Sequence, residues 1–147
     1  MNNDLMSFAK EHSMNTVIRS IKPLMIVSGI LTTTMVYAAI ALAAALQSTF
    51  GESLNGPVAE LIVRNWGVLI ALVGLMLIHG AFNPSTRRLA ILAASVSKVA
   101  FIALVLSNGS RYLEYGAGTA VAIDSLMVVL FSGYLAATRS IMNRVIE

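Results

Sequence analysis

Two charged side chains stand where a chain this apolar should have none. Lys98 sits at the centre of the stretch "LAILAASVSKVAFIALVL" (residues 89–106), and Asp124 lies within the next apolar block. In hydrocarbon, such groups can hold a proton, an ion or a polar ligand, or they can neutralise each other. Left unpaired, either would cost at least ~2.5–3.5 kcal/mol. At ~1.5 Å per helical residue, Lys98 lies roughly 12 Å and Asp124 roughly 10–11 Å from the same end of consecutive helices. The spacing therefore predicts a Lys98–Asp124 pair. Tyr37, roughly 13 Å deep by the same measure, completes the expected polar layer. It shares one helical face with Thr33 and Gly29.

Three further residues are secondary candidates. His79, about one turn before Pro84, could accept a proton near one membrane face, or could snorkel to headgroups and cap its helix. Arg64 follows Glu60 by one helical turn, which predicts a surface ion pair; an earlier helix start would instead aim it into a vestibule. Thr33 belongs to the run Thr32, Thr33 and Thr34, whose hydroxyls are expected to bond back to their own helix. No catalytic residue and no metal ligand set emerges. The chain has no cysteine and two histidines. It contains no phosphate-binding loop, zinc-protease, calcium-loop or nucleophile-elbow pattern.

Placing these residues requires membrane helices. Of the 147 residues, 57% are hydrophobic and 12% charged, with a mean hydropathy of +0.80, whereas a soluble domain needs far more charged surface. The apolar residues fall into four blocks, about 24–46, 66–82, 89–106 and 117–137, each near the ~17–25 residues that cross a bilayer. The fold class read from this is an all-α integral membrane protein, a single domain built as an antiparallel four-transmembrane-helix bundle. Residues 1–23 form a cytoplasmic leader, in which Met14, Val17, Ile18 and Ile21 recur at helical spacing as in an interfacial amphipathic helix. A cleaved signal peptide fits poorly, because the first apolar block exceeds the ~7–15 residues of a signal core. Gly67, Gly74 and Ala81 recur every seven residues and form a small-residue seam for close helix packing.

Charge sets the orientation. Lys10, Arg19, Lys22, Arg87, Arg88, Arg139 and Arg144 would share one side, against Arg64 and Arg111 on the other. The positive-inside rule then places both termini in the cytoplasm, as expected for a bacterial inner-membrane protein. Trp66, Tyr112 and Tyr115 fall at the outer boundary and Tyr134 near the inner one, as in an aromatic belt. The net charge of +3 is explained by this flanking pattern, so the expected partner is the lipid bilayer and no nucleic acid.

The segment "RNWGVLIALVGLMLIHGAFNPSTRRLAILAASVSK" resembles the Arg-x-x-Gly, glycine-spaced second span and Pro/Arg turn of small DoxX-like membrane proteins. The likeness covers about half of the chain and picks out Arg64, Gly67, Gly74, Pro84 and Arg88. It implies a four-helix membrane bundle and a link to quinone-dependent redox systems, with quinone as the implied cofactor. It implies no catalytic residue, and the Lys98–Asp124 pair is not part of the family pattern. Small multidrug transporters share the helix count but rely on a first-span glutamate that is missing here. The second-span arginine and histidine motif of membrane glutathione transferases is missing too.

Three functions follow as expectations. The first is transport or channel-like movement of a small solute, ion or proton, with Asp124 titrating beside Lys98. The second is an accessory subunit that binds a quinone or lipid as a small-molecule ligand in a membrane redox complex. The third is a scaffold whose charge pair serves assembly. An enzyme is the least supported class. Four short helices leave little interior of their own, so a homo-oligomer is expected.

Overall fold

The structure is a computed structural model that describes residues 20–146, with side chains through residue 139. The leader helix expected within residues 1–23 lies mostly outside the described residues, as does the side chain of Arg144. Helices α1 (20–33), α2 (Val36–Ile40), α3 (Leu42–Phe50), α4 (Pro57–Phe82), α5 (Pro84–Ser107) and α6 (Gly116–Ile146) follow in order, with no strand among the described residues. Four helical segments are long and apolar enough to cross a membrane: Ser20–Ile40, Pro57–Phe82, Pro84–Ser107 and Gly116–Arg139.

The second and third of these begin earlier than the apolar blocks predict, each on a proline in its first turn. Proline suits that position, since its missing N–H is unpaired there anyway and its φ is already helical. Only Asn83 separates α4 from α5, and Arg87 donates to the carbonyls of Gly80 (3.2 Å) and Ala81 (3.1 Å), closing the end of α4.

The first apolar block is one run in the sequence but three helices in space. Around Thr34–Met35 the amides of Met35, Tyr37 and Ala38 bond three residues back, so the helix tightens and turns. The local cause is the threonine run. Thr33 and Thr34 hydroxyls bond the carbonyls of Gly29 (2.7 Å) and Leu31 (2.6 Å), offering the backbone an alternative to its ladder. β-Branching adds a further propensity cost. A second kink falls at Ala41, whose φ of −116° and ψ of 61° leave the helical region.

Glycines set how closely this broken segment meets α4. A Cβ on Gly67 would stand 2.9 Å from the Ala39 amide and the Met35 carbonyl, and one on Gly74 would stand 2.7 Å from the Gly29 carbonyl. Large apolar side chains face outward, among them Ile40, Val58, Leu61, Val96, Leu104 and Val129. The interior combines many small residues with a few large ones. One cluster, with Ile21, Met25, Leu77, Ile91 and Phe131 at its centre, closes the end of the bundle that carries the Asn83 turn. Tyr134 belongs to this cluster at 9% exposure, so it packs in the core rather than in an interfacial belt.

Candidate functional site

α5 and α6 bring Lys98 and Asp124 together, 26 residues apart in the chain. The ammonium donates to Asp124 Oδ1, and also to Thr32 Oγ1 at 3.3 Å. The Lys98 side chain is 9% exposed and that of Asp124 18%, so the pair is shielded yet not sealed. Thr32 is the residue that sequence reasoning passed over, having placed the threonines as helix-bonded. Thr32 and Ser28 lie one turn apart on the face of α1 toward α5 and α6, whereas Gly29 and Thr33 lie on the face that meets α4.

Tyr37 is not brought to this group. Beyond the turn at Thr34–Met35 its side chain is 49% exposed, and it does not line the space beside Lys98. The depth estimate for Tyr37 assumed one straight helix, and the turn changes the direction of every residue after it. The neighbouring position Met35 reaches the site instead.

Beside the pair lies a cavity of about 470 Å³. All the long segments contribute to it: Thr32 and Met35 from the first, Trp66 and Ile70 from α4, Ser97 and Phe101 from α5, Thr119 and Ile123 from α6. Ser28, 1% exposed, also lines it, and its hydroxyl has no hydrogen-bond partner among the described residues. The cavity runs from the level of Met127, next to the packed cluster, toward Ser48, Thr49 and Gly116 at the opposite end. Its walls are mainly aliphatic and aromatic, with a few hydroxyls and one charged pair, the balance that small-molecule sites show.

That opposite end is bounded by aromatic and ionic contacts. Phe50 packs against Trp66 at 6.2 Å and edge-on against Tyr112 at 5.5 Å between ring centroids. Arg111 and Glu52 form an exposed ion pair joining the two loops there. Their exposure makes this a weak tether.

Arg64 lies outside the cavity lining. It bonds Glu60 through Nε (2.9 Å) and Nη2 (2.7 Å), as its spacing predicts, and its Nη1 donates to the carbonyl of Ala39. The kink at Ala41 parts that carbonyl from the amide of Ala43, and the guanidinium takes its place. His79 is exposed at the end of α4, within hydrogen-bond distance of the Asn83 side-chain amide (3.1 Å). Thr33 is occupied by its own helix. Gly67, Gly74 and Ala81 are buried, the first two against the broken first segment and the third in the core cluster. Among the described residues no group of three or more histidine, aspartate or glutamate side chains could hold a metal.

No protein-family model, curated protein or solved structure matches the chain. What it does must therefore be argued from the site.

Proposed function

We propose that the chain is an integral membrane protein of four antiparallel spans that moves a small solute, ion or proton through a site built on Lys98 and Asp124. Both termini lie in the cytoplasm, and the membrane is the bacterial inner membrane. One observation carries this reading: the charged pair forms part of the wall of a 470 Å³ cavity instead of being sealed among packed side chains. A pair kept for assembly alone gains from full hydrogen-bond satisfaction by its packed neighbours, which a wall position beside a cavity does not supply. The broken first span beside the pair supports the same reading, because discontinuous helices line the central sites of many transporters. The basic residues Lys22, Arg87, Arg88 and Arg139 support the orientation.

The absence of native cysteine makes a clean test available. Single cysteines at Ser97, beside Lys98, and at Thr119, toward the end lined by Ser48 and Gly116, are probed with a membrane-impermeant thiol reagent on each face of sealed vesicles. A transporter exposes Ser97→Cys to both faces in turn, and Thr119→Cys to the outer face.

A second reading rests on the predominantly apolar wall and on the similarity to DoxX-like proteins. In it the chain is an accessory subunit that holds a quinone or lipid. Labelling of Ser97→Cys from one face only would favour it. No labelling from either face would leave a dry scaffold and remove the transport proposal.

A further inference from the structure

If the cavity is a binding site, as just proposed, its unused polar groups specify what it binds. Lys98 and Asp124 are its only charged lining residues among those described. Together they carry no net charge wherever the proton between them sits. A cationic ligand would meet the ammonium and an anionic one the carboxylate, each without a counter-ion in a layer of low dielectric. Charge therefore counts against both.

The hydrogen-bonding capacity left over is mixed. An ammonium has three N–H donors, and Lys98 uses two of them, on Asp124 and Thr32. Asp124 accepts at Oδ1, while Oδ2 receives no donor among the described residues. The Ser28 hydroxyl is buried and has no partner among the described residues. The cavity thus offers spare donors and a spare carboxylate oxygen together with the apolar side chains of Leu31, Ile70, Phe101 and Ile123.

We infer that the cavity takes an uncharged amphiphile, an apolar body bearing a hydroxyl or primary amide head. That head donates to Asp124 Oδ2 and accepts from Lys98 or Ser28. A ketone or ether accepts but cannot donate, and so leaves the carboxylate oxygen without a partner. An amine or a carboxylic acid brings the uncompensated charge. The cavity volume lies within the ~300–1,000 Å³ typical of sites for molecules of this kind.

Trp66 is the sole tryptophan and lines the cavity, so its emission reports occupancy. The full chain in detergent is titrated with four compounds on one skeleton: hexanol, hexyl methyl ether, hexylammonium and hexanoate. Hexanol is expected to change the emission saturably at about tenfold lower concentration than the other three, a difference of ~1.4 kcal/mol. In Asp124→Asn the ammonium loses its counter-charge and the preference moves to hexanoate; in Lys98→Gln it moves to hexylammonium. If hexylammonium or hexanoate matches hexanol on the unaltered protein, the assigned class is wrong while the cavity still binds. If none saturates, the class assignment also falls, and thiol labelling of Ser97→Cys separately decides whether the cavity is open at all.

Discussion

At the scale of the residue, Lys98 and Asp124 have to satisfy folding and function together. Each would be an uncompensated charge without the other, and breaking a shielded pair costs about 3–5 kcal/mol. Lys98→Met and Asp124→Leu are each expected to lower the thermal unfolding midpoint sharply, while the double variant returns close to the unaltered protein. The same double variant is expected to lose solute movement in vesicles, because the polar wall is gone although the fold remains. Equal stability in all four proteins would mean that the pair plays no part in folding. Arg64 makes a different bargain, since its bond to the Ala39 carbonyl stands in for a lost helical one. Removing a hydrogen-bond partner from a carbonyl costs about 1–3 kcal/mol, whereas an exposed i, i+4 ion pair contributes about 0.3–0.5 kcal/mol. Arg64→Met should therefore destabilise clearly more than Glu60→Gln in detergent melts.

At the scale of the element, the broken first segment and the glycine face of α4 depend on each other. α1 brings the Gly29 carbonyl and Thr33 amide against Gly74, the turn at Thr34–Met35 brings the Met35 carbonyl and Ala39 amide against Gly67, and only residues without a Cβ admit them. A Cβ on Gly74 would meet the Thr33 amide at 2.6 Å as well as the Gly29 carbonyl. Backbone cannot yield as a flexible side chain can, so Gly74→Ala should separate the two helices and lower stability. Gly133, on α6, has open space where its Cβ would stand, so Gly133→Ala is expected to leave the melting point unchanged or raise it slightly through helix propensity. Comparable losses from both substitutions would show that the close crossing of the first segment and α4 is not what the glycine provides.

At the scale of the whole molecule, large apolar residues face outward while hydroxyls, small residues and one charge pair face inward. That arrangement suits a lipid surround, in which outward leucine and valine cost nothing and close contact between helices supplies the cohesion. The distribution of basic residues predicts the orientation. A reporter active only outside the cytoplasm should work when inserted after Ser110 and fail when fused after Glu147. The reverse pattern would invert the topology.

Much of this was legible in the chain itself, and the reasons are local. Four apolar blocks announce four membrane-length helices because hydropathy is a sum over neighbours, and Lys98 and Asp124 announce each other because burying either alone is too costly. The seven-residue recurrence of Gly67, Gly74 and Ala81 likewise marks a packing face, since small residues at helical spacing align along one side. Tertiary structure alone decided the rest. Whether Tyr37 or Thr32 joins Lys98 turns on a break in the first apolar segment, which the threonine run permits but which the fit against α4 and the hold of Arg64 on Ala39 make definite. The cavity is a space left between five helices, and no single stretch of sequence encodes it. Facing direction and empty volume depend on every helix at once, whereas span and charge are written residue by residue.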